Sequence, residues 1–314
     1  MAATNLHTLD NDILHELLTL CHDLNTLYSL LLTHPIIYQA FRARRRLILR
    51  HVFARQIRVQ LLSIPADAVI DANEDFVVRI ERANPIDAVA FREAVWPILE
   101  RRLFRGVPSK LSWKWATALL TIYRKAELRE DALSFAKRTI GLALNTVQWR
   151  QHGTLPFIRA VGRIYMAAHL FQETLSLQET VHGRLKPLSI EHSSWGKELV
   201  ATLQHIGDPA RVLRFQLTCW ELYKEVAGSN SPVALDWARG IVREYQAQGK
   251  IDDALRFHQE VRMLLDPTTA PYIAWSRQLI NMLQQRKQDA EALVATEQVW
   301  RHLNPETKGY RACM

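Results

Sequence analysis

Five bulky aromatic residues, Trp115, Phe157, Trp195, Trp237 and Trp275, each stand 18 residues before a leucine: Leu133, Leu175, Leu213, Leu255 and Leu293. The steps between successive aromatics are 42, 38, 42 and 38 residues. One internal distance held through five copies confines the chain to an array of like units, each covering the apolar face of the next. The copy at 231–267 shows what the unit is. At 3.6 residues per turn, Leu235, Ala238, Ile241, Val242 and Tyr245 fall on one side of a first helix. Ile251, Ala254, Leu255, Val261 and Leu264 do the same on a second. Gly249 parts them with the freedom in φ that a helix end often needs. Asp252 and Asp253 open the second helix, where negative charge meets the positive end of the dipole, and Pro267 follows its end. The fold expected is all-α, with helical hairpins stacked on one another.

Further registers run through the copies. Tyr123, Tyr165 and Tyr245 share one position, which Leu203 and Leu283 fill elsewhere. A small residue opens the second helix at Ala132, Ala254 and Ala292, while Thr174 and Val212 depart from it, so those copies are expected to pack less regularly. Leu-Arg-Phe recurs at 213–215 and 255–257, and Asp266-Pro267 becomes Asn304-Pro305. The pattern resembles the tetratricopeptide (TPR) family, nearer its 42-residue type than its 34-residue one. The resemblance implies an α-solenoid of about five or six TPR-like hairpins, whose first helices line a groove for protein partners.

Two residues after each register aromatic come Thr117, Arg159, Lys197, Arg239 and Arg277. One turn later come Thr121, Arg163, Ala201, Arg243 and Asn281. Matching Tyr245 to the family's first-helix tyrosine implies that Arg239 and Arg243 line the groove. Stacking then makes Arg159, Arg163, Lys197, Arg239, Arg243 and Arg277 a candidate ladder for an acidic or phosphorylated protein client, each guanidinium able to pair bidentately with an oxyanion. The plainer alternative is a solvated face that keeps the protein soluble. The aromatic series itself reads as packing between helices rather than as a binding platform.

The remaining constraints are mostly exclusions. A charge of +8 over 314 residues and a pI near 9.5 permit an acidic partner without requiring nucleic acid, which stays a weaker reading. Cys21, Cys219 and Cys313 have no metal-ligand spacing and suit a reducing compartment. The leucine-rich stretch 13–32 carries His15, Glu16, His22, Asp23 and Asn25, which argues against lipid burial. With no secretory signal pattern at the N-terminus, a cytoplasmic or nuclear location is expected. No catalytic constellation emerges: His15-Glu16 begins a zinc-protease pattern but Thr19 stands where the second ligand belongs. Cys219, beside Trp220 on an apolar helix, reads as packed rather than nucleophilic. No enzyme, cofactor or metal is expected.

Before the repeats lies a different unit, 1–63. Asp10 or Asn11 can cap a helix from about residue 12 to 21, Asp23 another to about 33, and Pro35 a third that continues through the arginine run. Leu9, Ile13, Leu14, Leu17 and Leu18, then Asp23-Leu24 with Leu27 and Leu30, resemble an F-box, although Asp10 stands where that family has proline. The resemblance implies docking on a Skp-type adaptor of a cullin-RING ubiquitin ligase, with Leu9, Ile13, Leu14, Leu17 and Leu24 as candidate contacts. A helical cap shielding the first repeat is the alternative. Arg42, Arg44, Arg45, Arg46, Arg50, Arg55 and Arg58 could be an import patch or phosphate contacts; a solvated face complementing Asp71, Glu74, Asp75 and Glu81 is the favoured reading. Residues 64–109 are expected to hold a linker (64–73) and degenerate leading helices, 110–306 the repeats, and 307–314 a tail. The whole reads as a non-catalytic adaptor, an F-box-type substrate receptor, or alternatively as a repeat scaffold unrelated to ubiquitin.

Overall fold

The computed structural model describes residues 10–105, 110–145 and 153–302. Leu9, the expected boundary at 106–109, the Asn304-Pro305 turn, Cys313 and the tail lie outside the described residues. Among the described residues there are sixteen α-helices and no strand. They form two compact units, the first running to Leu170 and the second beginning at Phe171.

In the first unit, local chemistry starts each early helix. The Asp10 carboxylate caps α1 (Asn11–Thr19) by accepting from Asp12 N, and Asp23 caps α2 (Leu24–Leu31) by accepting from Thr26 N at 2.7 Å. His34 caps α3 (Pro35–Ala43), whose proline sits at the first helical position, where no N–H is missed. That third helix does not continue through the arginines. It breaks at Arg44, with φ −129 and ψ 33, and α4 (Arg45–Gln60) starts afresh. The break lets Ile37, Ala40 and Phe41 face α1 and α2 while Ile48, Leu49, Val52, Phe53 and Ile57 turn into the core.

The stretch expected as a linker is helical from Ala66. It forms the first half of α5 (Ala66–Ala83), anchored by buried Val69 and Ile70. The Asn84-Pro85 step then caps α6 (Pro85–Phe104). Phe53, Phe76 and Phe91 meet between α4, α5 and α6, with centroids 4.7–6.1 Å apart. Arg92 on α6 is buried to 1%, lies 4.6 Å over the Trp115 ring and pairs with Glu74 at 3.2 Å. This places α6 against α7 (Lys110–Lys125), the first repeat helix, which is followed by α8 (Arg129–Asn145) and α9 (Thr154–Ala167).

The second unit runs through α10 (Phe171–Arg184), α11 (Ile190–Ile206), α12 (Pro209–Ala227), α13 (Pro232–Ala247), α14 (Ile251–Leu264), α15 (Ala270–Gln285) and α16 (Asp289–His302). Its core joins Trp195's neighbour Leu199 to Trp220, Tyr223, Trp237, Ile241 and Trp275.

Every register aromatic is buried, and so is the residue four further on: Leu119, Val161, Leu199, Ile241 and Leu279. The small position of the second helix is equally closed in all copies, Thr174 and Val212 included, so those two do not loosen the packing. The leucine at the constant 18-residue interval is less uniform: Leu175 and Leu255 are buried, Leu133 and Leu213 half-buried, and Leu293 is 63% exposed. Helix α16 is the last described, and no described helix covers that face.

One register escaped the sequence. Twelve residues after each aromatic, at Glu127, His169, Gly207, Gly249 and Lys287, φ lies between 59° and 79°. The next residue's N–H reaches back to the first helix: Leu128 N to Tyr123 O, Leu170 N to Tyr165 O, Asp208 N to Leu203 O, Lys250 N to Tyr245 O, and Gln288 N to Leu283 O, at 2.9–3.2 Å. Each turn is thus a left-handed helix stop of the Schellman kind. Three of the five use a residue with a side chain where glycine is the easy choice.

Candidate functional site

In the second unit, α13 and α15 present their outer faces to a cleft of about 260 Å³. From α13 come Arg239, Arg243 and Gln246; from α15 come Gln278, Asn281 and Gln285. His258 and Trp275 form its floor, their rings tilted by 33° with centroids 4.3 Å apart and joined by Trp275 Nε1 donating to the His258 carbonyl at 2.9 Å. Burial holds the His258 pKa down to about 4, so the imidazole is neutral at ordinary pH. The walls therefore carry two guanidiniums and four side-chain amides, which can both donate and accept.

The expected cation ladder is brought together only in part. Within the second unit, Lys197 on α11 bridges to Asp236 on α13, and the same carboxylate lies 3.9 Å from Arg239. Arg243 has no described carboxylate in ion-pairing range. Arg277 is exposed but does not line the cleft; Gln278 and Asn281 do. The aspartate two residues before Ala238 was the missed signal: it precedes the register tryptophan and neutralises cations from two hairpins. In the first unit, Arg163 lines a hollow of about 560 Å³ between the α7–α8 turn and α9, and Arg159 is half-buried on the same helix.

The candidate adaptor contacts divide. Leu14 and Leu24 point into the core of the N-terminal helices, whereas Ile13 and Leu17 are about half exposed on α1. Leu20, Tyr28 and Leu32 extend the exposed apolar surface of α1 and α2. The arginine run finds other complements than those expected. Arg44 meets Asp12 at 2.9 Å, Arg45 meets Asp87 at 2.5 Å, and Arg46 is shared between Glu93 and Asp131. Burial opposes the Arg46 charge, yet the two carboxylates hold its pKa above the ordinary value. Glu74 and Glu81 serve Arg92 and Lys125 instead.

No group of three or more His, Cys, Asp or Glu side chains is arranged to hold a metal among the described residues. No described helix is long and apolar enough to cross a membrane. Cys219 is buried, and that burial pushes its thiol up to about 12.

No protein-family model matches the chain, and no curated protein sequence matches it. Among solved structures, a putative kinesin light chain of Podosopora anserina with nearly identical TPR-like repeats is similar at 19% identity and a TM-score of 0.39, covering 60% of this chain and 93% of that one. BtubC (BKLC) from P. vanneervenii is similar at 10% identity and a TM-score of 0.39, covering 78% and 96%. YrrB, a TPR protein with an unusual peptide-binding site, is similar at 12% identity and a TM-score of 0.34, covering 68% and 96%.

Proposed function

We propose that this chain is a non-catalytic protein-interaction scaffold whose α13–α15 cleft holds an extended acidic segment of a partner protein. The observation that carries the reading is the composition of that cleft: Arg239 and Arg243 beside Gln246, Gln278, Asn281 and Gln285. Amide side chains can satisfy a peptide backbone from either of its polar groups, and the guanidiniums select carboxylate or phosphate side chains. The neutral His258 and the Trp275 ring make an uncharged floor against which one side chain can rest. Selection from a random displayed-peptide library tests this. Acidic sequences should be enriched, and Arg239→Glu with Arg243→Glu should abolish the enrichment; sequences of unbiased charge, or enrichment that survives the reversal, would refute the site.

A second reading rests on the exposed Ile13, Leu17 and Leu20 of α1. These offer an apolar face for a Skp-type adaptor, which would make the chain an F-box-type receptor delivering the acidic client to a ubiquitin ligase. Leu14 and Leu24 would support that face from beneath rather than touch the adaptor. Purified adaptor should bind the intact protein and lose affinity with Ile13→Asp plus Leu17→Asp. Absence of binding leaves the scaffold reading and removes the ligase one.

A further inference from the structure

The first unit holds a second concavity, of about 620 Å³, between α4 from Arg50 onward and α6 from Glu93 onward. Arg45 meets Asp87 near the start of these helices, and Arg58 and Arg101 face a common cleft near their ends. Arg50 and Arg58 line it from α4, and Arg101, Arg102 and Arg105 from α6. The one carboxylate among its described lining residues, Glu93, is already held by Arg46 and by the Tyr123 hydroxyl at 2.7 Å. Arg102 is answered by Asp67, at 2.5 and 3.2 Å. Arg58, Arg101 and Arg105 have no described carboxylate within 4.0 Å, and Arg50 stands at the margin toward Glu100 and Asp131 without bridging to either.

The contrast along α4 is informative. Its first arginines are spent on Asp87, Glu93 and Asp131, and these pairs fix the helix in the unit. Of its later ones, Arg55 donates to the Leu20 carbonyl, while Arg50 and Arg58 line an open cleft together with arginines of α6. The negative ends of two helix dipoles relieve part of that repulsion, since cations are favoured in a last turn. They do not supply oxyanion partners for the guanidinium forks. On a convex surface such side chains would splay into water; in a concavity they converge, and their summed field concentrates anions.

We propose that this cleft binds a small anion bearing two or more closely spaced phosphates. The planar forks of Arg58, Arg101 and Arg105 match phosphate oxygens bidentately, which lysines could not do. A single carboxylate would leave most of the charge unanswered. Among the described residues no Phe, Tyr or Trp lines the cleft, which argues against a stacking platform for the bases of a nucleic-acid strand. The site is separate from the peptide cleft of α13 and α15 and stands or falls without it.

Calorimetric titration of the full chain with tripolyphosphate at low and high salt tests the assignment. Saturable binding that weakens as salt rises is expected. Arg58→Gln with Arg101→Gln should weaken it at least about tenfold while leaving the ligand-free melting temperature undiminished, because like charges have been removed. Should that pair fail to fold, Arg105→Gln, at the exposed end of α6, carries the same expectation for binding. Arg239→Glu with Arg243→Glu should leave tripolyphosphate binding intact, which separates this site from the proposed peptide cleft. Absence of saturable binding at low salt, or unchanged affinity in the Arg58, Arg101 and Arg105 variants, overturns the proposal. A short single-stranded oligonucleotide that binds more tightly than tripolyphosphate overturns it as well.

Discussion

The five left-handed turns make a paired prediction in opposite directions. At Gly207 and Gly249, φ is 79° and 71°, and a Cβ at either position would meet no atom within 4 Å. Alanine there is penalised by its own backbone and by nothing else. The left-handed conformation costs a residue with a Cβ about 1–2 kcal/mol, and the narrower unfolded ensemble of alanine returns about 0.4–1 kcal/mol. Gly207→Ala and Gly249→Ala should each destabilise the chain by about 1 kcal/mol. At Glu127 and Lys287 φ is 60°, so glycine relieves the same strain. Glu127→Gly and Lys287→Gly should each be neutral to stabilising, by up to about 1 kcal/mol. Thermal unfolding followed by circular dichroism reads the set, with shifts of about 2 °C per substitution. Repeat arrays can unfold in stages, so the ordering of the four variants is the measured quantity rather than an extrapolated free energy. If the glycine-to-alanine changes are silent while Lys287→Gly destabilises, the five turns do not share this conformation and the register argument fails.

Arg92, buried to 1% between Glu74, Glu81 and the Trp115 ring, should tolerate no truncation. Arg92→Ala is expected to lower stability by about 3 kcal/mol in urea unfolding, and a loss below about 1 kcal/mol would contradict the buried pair. His258 is neutral in the fold with its pKa held to about 4, against an ordinary 6.5, so its contribution is complete above pH 6.5 and declines as pH falls toward 4. Its share of the loss should reach about 2 kcal/mol by pH 5, and His258→Phe should flatten the urea midpoint between pH 7 and pH 5. An unchanged slope would mean that the ring is solvated. Burial raises the pKa of both Cys21 and Cys219, so in a Cys313→Ser background thiol reagents should react far more slowly with the native protein than with the unfolded one.

Hairpin architecture was legible because burial in a stacked array repeats whenever the unit repeats. Trp115, Phe157, Trp195, Trp237 and Trp275 report the same environment five times, and a periodic sequence records a periodic core. The interval to leucine was a less faithful marker than the small residue beside it. The small position is buried in every copy, whereas Leu293 faces outward where no described helix follows. The turns were only partly legible. Gly207 and Gly249 advertise left-handed backbone, but Glu127, His169 and Lys287 adopt it as well, and their residue types do not announce it.

Charge was the least legible property. An arginine's partner is chosen by what the fold brings across from it, and sequence neighbours do not reveal that choice. Asp236 on α13 pairs with Lys197 on α11, far off in the sequence, whereas its approach to Arg239 is one turn along its own helix. Asp87, Glu93 and Asp131 claim Arg45 and Arg46 from 42 to 85 residues away. Local propensity and apolar periodicity are near-range properties of the chain, so the repeat helices, their order and the faces they bury could be written down in advance, while the break at Arg44 and the helix from Ala66 could not. Which cations are left without a carboxylate, and therefore which clefts can hold an anion, depends on contacts between distant segments, and only the packed structure decides it.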